Sequence, residues 1–214
     1  MIWEIFMIDA VSALTRLQEG NMRFVKGLRS VETMMTHVKR EELTEGQEPF
    51  AVILGCSDSR VPAEIVFDQG LGDLFVIRVA GNVVAPSQIG SVEFAVSQFK
   101  TRLVIVLGHS QCGAICATVE QLKRPNNEQS QNIKAIVDRI RPSVEPFKAT
   151  ELWNDEEALV EQSVRANVRA SVNQLKHGSM LLESLSDDDL LIVGAEYSLE
   201  TGEVVFFDGL PEEN

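Results

Sequence analysis

The chain is poor in the residues that staple or stiffen a protein. Among 214 residues there are three cysteines, seven prolines, two tryptophans and one tyrosine. Cys56, Cys112 and Cys116 are too few and too odd for a disulfide framework, so a reducing compartment fits and the cytoplasm is the expected location. Positive charge is scarce too: 19 Lys and Arg against 32 Asp and Glu leave a formal net charge of -13. Such a surface repels a phosphate backbone, and no Lys/Arg cluster offsets it, so nucleic acid is not an expected partner. Long apolar runs are missing as well. The opening stretch from Met1 to Ile8 is too short to span a bilayer, carries Glu4 and has no basic flank, so neither a membrane partner nor a secretion signal is expected. Whether translation starts at Met1 or Met7 stays open. The run Asp187-Asp188-Asp189 lacks the spacing of an EF-hand loop and reads as solvated surface, as do His37 and His177.

What is present is ordinary for a globular protein: 44% apolar and 24% charged residues. The length suffices for a full core, and one domain over residues 1–214 is the simplest reading. Five apolar runs have strand length: Phe50 to Leu54, Leu74 to Val79, Leu103 to Leu107, Leu190 to Val193 and Val204 to Phe207. They lack the alternation of half-exposed strands and suit a sheet covered on both faces. Helical patterns fill the gaps. Ala10, Leu14, Leu17, Phe24 and Leu28 mark one face of an N-terminal helix; Ile89, Val92, Ala95, Val96 and Phe99 mark another. A third pattern runs from about Asp155 to His177, acidic at its start, basic at its end and followed by Gly178. The last two strands are joined by Ser198 to Gly202, short enough for a hairpin. The expected fold is α/β: a mostly parallel sheet of about five strands with an antiparallel edge strand, helices on both faces and an N-terminal helical arm (1–45). Residues 46–123 form the core that carries the chemistry, 124–154 an excursion with a short helix around Ile133 to Ile140, and 155–214 the C-terminal helix and hairpin.

Two segments stand out because they repeat one design. Val52-Ile53-Leu54-Gly55-Cys56-Ser57-Asp58-Ser59-Arg60 and Val104-Ile105-Val106-Leu107-Gly108-His109-Ser110-Gln111-Cys112-Gly113 each run from an apolar strand through a glycine to a metal-binding side chain. In open parallel sheets, functional groups gather beyond the carboxyl ends of the strands. Cys56, His109 and Cys112 converge there if the two strands are neighbours. Two thiolates and an imidazole suit zinc with one position left open. Cys116, one helical turn past Cys112, reads as a small buried residue. Asp58 shares a side with Cys56 and Arg60 in an extended segment. Arg60 can hold it ionised by a bidentate bond, or Asp58 can itself coordinate the metal as a fourth ligand.

Cys-x-Asp-x-Arg followed by His-x-x-Cys, each after a strand and glycine, resembles the β-class carbonic anhydrases. The resemblance extends from Ala13-Leu14-Thr15-Arg16-Leu17-Gln18-Glu19-Gly20-Asn21-Met22-Arg23-Phe24 to the closing hairpin. Only about 124–154 is without landmarks. The resemblance implies one Zn2+ per chain on Cys56, His109 and Cys112, and reversible hydration of CO2 to bicarbonate and a proton by zinc-bound hydroxide. It implies that Asp58 orients that oxygen and that Arg60 keeps Asp58 ionised. It also implies that Gln47 donates an amide to substrate, that Phe75, Ala80 and Phe94 line an apolar pocket, and that the Gly113 N–H meets a bicarbonate oxygen. A homodimer or homotetramer is implied, and the apolar Trp3, Ile5, Phe6 and Ile8 would find cover in it. A bicarbonate-regulated subgroup carries a tryptophan three residues before the first cysteine, with an arginine and a tyrosine. Here Ile53 stands in that place beside Arg78 and Tyr197, so no such regulatory pocket is expected. Two other classes compete. A non-enzymatic zinc protein would close its site with four protein ligands; a thiol redox protein would be indifferent to chelators, and it lacks a Cys-x-x-Cys pair.

Overall fold

Five apolar runs pair into one sheet of order β2-β1-β3-β4-β5. The computed structural model describes residues 8–31, 43–125, 130–186 and 189–211. The strands are β1 (Ala51–Gly55), β2 (Leu74–Arg78), β3 (Leu103–His109), β4 (Leu191–Tyr197) and β5 (Val204–Asp208). β1 pairs in parallel with β2 and β3, and β3 with β4, while β5 returns antiparallel at the edge. The expected fold class is therefore what forms. Trp3, Ile5, Phe6, His37, Asp187 and Asp188 lie outside the described residues.

The continuous apolar runs need cover on both faces, and helices supply it. Helix α1 (Ala10–Val25) and the short α2 (Ala63–Val66) pack on one face through Ala13, Leu14, Leu17, Ala63 and Val66. On the other face lie α3 (Pro86–Gln98), α6 (Glu156–His177) and α7 (Met180–Ser186), contributing Val92, Val96, Val168, Val172 and Leu182. Val52, Ile53, Leu54 and Leu103 to Val106 are 0% exposed. Burying each such side chain is worth about 1.5–3 kcal/mol, so the two strands that carry the metal-binding motifs sit in the most firmly held part of the fold.

Helix ends follow the local chemistry. Asp9 caps α1 by accepting from the Val11 and Ser12 N–H groups at 3.0 and 2.9 Å. Asp155 caps α6 by accepting from Ala158 N–H at 3.1 Å, with Glu156 and Glu157 in the first turn and Lys176 and His177 in the last. Gly20 lets α1 cross close to the chain below it, because a Cβ there would run into the Phe67 carbonyl oxygen.

Four local expectations change. Leu28 leaves the helical face and is 56% exposed, because Gly27 (φ 67°) ends α1 after Val25. β4 continues past Val193 through Gly194, Ala195 and Glu196 to Tyr197. That unlikely strand sequence is decided by α6, whose Val168 leaves no room for a Cβ at Gly194. The helix of the excursion is longer than a short turn: α5 (Gln131–Val144) runs through Pro142, which sits on its exposed face. Cys116 is exposed, not buried, because Cys112 is the N-cap of α4 (Gly113–Lys123) and sits off the helical repeat.

Candidate metal centre

β1 and β3 are neighbours in register, with Val52 opposite Val104 and Gly55 opposite Leu107. Cys56 therefore leaves β1 beside the end of β3, where His109 is the last strand residue. Cys112 follows at the N-cap of α4. The two sulfurs and a ring nitrogen of His109 all lie within 4.8 Å of one another, and all three residues are buried. Among the described residues this is the cluster of ligand-type side chains that fits a metal ion.

The donor set fits a zinc ion. His109 is 0% exposed, and its Nε2 is buried without a hydrogen-bond partner among the described residues. Its other nitrogen, Nδ1, is 2.8 Å from the Ser110 carbonyl oxygen, which assigns the proton to Nδ1 and leaves Nε2 as a ligand. Cys56 Sγ and Cys112 Sγ are 4.0 Å apart. The Cys112 S–H donated to Cys56 is the largest influence lowering the Cys56 pKa to about 4, helped by the Gly81 N–H at 3.4 Å. The same contact, with burial, raises the Cys112 thiol. Without a metal, one thiolate therefore suppresses the other; a bound dication removes that conflict by neutralising both.

Asp58 stands outside this triad. Arg60 grips it bidentately, Nε to Oδ1 at 2.9 Å and Nη2 to Oδ2 at 2.7 Å, and the Arg60 backbone N–H also donates to Oδ1 at 3.0 Å. The Arg60 hydrogen bonds hold the Asp58 carboxyl well below the usual carboxylate range. Its Oδ2 lies 3.9 Å from His109 Nε2. An ionised acceptor thus borders the place where a metal ion would sit.

Several contacts that sequence reasoning did not foresee complete the surroundings. Arg78 donates from Nε to the Cys56 carbonyl at 3.0 Å and from Nη2 to the Asp58 carbonyl at 2.5 Å, clamping the loop that bears both. Gly81 (φ 68°) approaches closely enough to bond Cys56, and a Cβ there would press on Ile140 and Ala114. Ile140 and Val144 of α5 pack in the same cluster as Cys56 and Cys112, with Ile136 against it, so the segment without landmarks walls the centre. Glu200, on the hairpin, bonds the loop between His109 and Cys112. No local pattern marks a contact with a residue 90 positions away.

The other expected site residues divide. Ala80 adjoins Gly81 in a 3-10 turn beside Cys56, and Gly113 opens α4 next to Cys112. Gln47 is exposed and precedes the start of β1, a strand that spans about 17 Å for its five residues at roughly 3.3 Å each, so it is at the far end from Cys56. Phe75 pairs with Val52 and clusters with Phe94 and Phe99, its ring 6.3 and 6.0 Å from theirs; Phe94 is 52% exposed. Within one chain these three do not join the triad. Ile53 is fully buried in the core, and Tyr197 packs near Phe24 with ring centroids 6.4 Å apart.

A mostly parallel sheet with two thiols and an imidazole at adjacent strand ends, bordered by a clamped Asp–Arg pair, has the donor set of a metal-dependent enzyme. A family model described as carbonic anhydrase matches residues 51–204. The carbonic anhydrase of Mycolicibacterium smegmatis is 38% identical over 197 residues, 92% of each chain. Carbonic anhydrase 2 of Mycobacterium tuberculosis is 38% identical over 201 residues, 94% of each. The crystal structure of the β-carbonic anhydrase CafA of Aspergillus fumigatus superposes with a TM-score of 0.71 at 25% identity, covering 94% of this chain and 92% of that one. The chain belongs to the β-class carbonic anhydrases.

Proposed function

We propose that the chain hydrates CO2 to bicarbonate and a proton, reversibly, with one zinc ion held by Cys56, His109 and Cys112. The observation that carries this reading is the convergence of three buried ligand atoms within 4.8 Å beside a carboxylate kept off them by Arg60. When bound, zinc supplies Lewis acidity that lets a water molecule give up its proton near neutral pH.

The remaining work belongs to this chain's own groups. Asp58 is ionised, so it can only accept hydrogen bonds. A water entering beside it is oriented with its hydrogen on Asp58 and a lone pair free for the carbon of CO2. Arg60 prevents the carboxylate from swinging toward His109. The Gly113 N–H, at the start of α4, belongs to the unsatisfied donors of a helix N-terminus and suits a bicarbonate oxygen.

Gln47, Phe75 and Phe94 keep their expected substrate roles only if a second copy supplies them, because one chain holds them away from its own triad. We therefore place the working unit at two copies or more. A monomer by light scattering at micromolar concentration, retaining full activity, would remove this part.

Stopped-flow CO2 hydration on protein of measured zinc content, repeated with Asp58→Asn, tests the function. Hydration should fall by roughly 100-fold, as when a reacting group is misoriented, while zinc stays at one per chain. An inactive, zinc-loaded wild type would refute the activity.

A further inference from the structure

The turn between His109 and Cys112 is held from outside by one carboxylate. Glu200, between β4 and β5, accepts from Ser110 Oγ at 2.9 Å and from Gln111 Nε2 at 2.6 Å. Both partners are donors, so a carboxylate with two acceptor oxygens matches them with one charge-assisted bond each. Two bonds from backbone N–H groups run alongside: Leu199 N–H to Ser110 Oγ at 2.9 Å and Ser110 N–H to the Tyr197 carbonyl at 2.9 Å.

The turn being held is not one the chain would adopt freely. Gln111 has φ 54°, a left-handed conformation that side-chain-bearing residues avoid and that persists only where the surroundings enforce it. Gln111 immediately precedes Cys112 and so sets the direction in which that ligand leaves the turn. Ser110 contributes the carbonyl that fixes the His109 ring through Nδ1. Both ligands thus take their aim from the two residues Glu200 grips.

Glu200 is exposed, but its platform is fixed. Asn21 of α1 donates to the Gly202 carbonyl at 2.9 Å and accepts from Val204 N–H at 2.8 Å; its amide also reaches the Val66 carbonyl at 3.1 Å. Ser198 Oγ further orients the carboxylate at 3.0 Å.

We propose that Glu200 is a positioning residue for the metal centre: through Ser110 and Gln111 it holds His109 and Cys112 at the spacing and aim that close the triad with Cys56. It touches no reacting atom, and the proposal rests on the zinc reading above.

The test uses the full chain as wild type, Glu200→Ala, Glu200→Gln, the pair Ser110→Ala with Gln111→Ala, and that pair combined with Glu200→Ala. Zinc affinity is read by chelator competition, ligand geometry by the visible spectrum of the cobalt(II)-substituted protein, and the fold by melting of the metal-free protein. Glu200→Ala should weaken zinc about 10-fold to 100-fold, the usual effect of losing a group that orients ligands. It should alter the cobalt bands and leave the metal-free melting unchanged, with Glu200→Gln falling between. Once Ser110 and Gln111 are alanine, removing Glu200 should add nothing. Unchanged affinity and spectrum in Glu200→Ala would overturn the proposal. So would a loss matched by lower metal-free melting, or one that persists in the alanine pair. A wild type that takes up no zinc would overturn the zinc reading itself, and this proposal with it.

Discussion

Arg60 and Asp58 meet through two parallel hydrogen bonds of 2.9 and 2.7 Å, and the clamped carboxylate stops 3.9 Å from His109 Nε2. The fork thus works as a spacer. It keeps an anion beside the three ligand atoms without letting it close on them. Arg60→Lys supplies a point charge that cannot hold both oxygens. Its activity should fall by roughly 100-fold, the loss that a misplacement on the order of 1 Å brings at a reacting centre. Zinc content and melting should stay near wild type. Stopped-flow hydration checks this; an unimpaired lysine variant would mean that the bidentate geometry is irrelevant.

Asp58 also has a defined pH window. Its folded pKa is depressed, chiefly by the hydrogen bonds from Arg60. A group depressed in this way stabilises the fold fully above its unfolded value, about 3.9 for Asp. That contribution is lost only as the pH falls through the lower folded value. Asp58 should therefore remain ionised at every pH above about 4, and inflections in the rate profile above that must come from other groups. A carbon-13 titration of the Asp58 carboxyl in the metal-free protein checks it; a midpoint at or above the ordinary value contradicts the clamp.

Removing the metal should abolish activity without unfolding the chain, because β1 and β3 are buried by apolar packing and not by the ligands. Dialysis against a strong chelator should give inactive protein with its far-ultraviolet dichroism intact. Zn2+ should restore activity and Mg2+ should not, since two sulfurs and an imidazole suit the softer ion. Cys112→Ser should lose most of its zinc by elemental analysis. A fully active chelated protein would end the zinc reading.

Gly81 carries a prediction of its own. Its φ of 68° costs roughly 1–2 kcal/mol for a residue with a Cβ. That Cβ would also meet Ile140 Cδ1 at 2.7 Å and Ala114 Cβ at 3.0 Å. Gly81→Ala should lower stability by at least that amount in urea unfolding and weaken zinc binding, because the Gly81 N–H supports Cys56. A variant as stable as wild type would show that the turn relaxes freely.

Ile140 tests the wall formed by α5. It is 0% exposed and packs in the cluster that holds Cys56 and Cys112. Ile140→Ala should cost about 2–5 kcal/mol, the range for deleting a buried aliphatic side chain. Zinc retention should suffer as well. A loss below about 0.5 kcal/mol, the scale of surface substitutions, would place α5 outside the cooperative core.

Much of the fold was legible because its signals are local. Five apolar runs of strand length became five strands, and the α6 boundaries followed from Asp155, the charge gradient and Gly178. Failures came where tertiary packing overruled local pattern. Gly194 in β4 is required by Val168 above it, and Cys116 turned outward because Cys112 caps the helix without belonging to its repeat. The contacts that Arg78, Gly81 and Glu200 make escaped notice because nothing near them in the chain hints at Cys56, Ser110 or Gln111.

Sequence alone determined which atoms are offered and where on their strands: sulfur or imidazole after an apolar run and glycine, and an arginine two residues from an aspartate. Those choices depend on side-chain chemistry and short-range geometry, which the order of residues encodes directly. Tertiary structure alone decided that β1 lies beside β3, that Asp58 stops short of His109, and that a hairpin carboxylate pins the ligand turn. It also set Gln47, Phe75 and Phe94 apart from the triad of their own chain. These are matters of strand adjacency and helix docking, settled by burying both faces of one sheet, and no local stretch of residues specifies them.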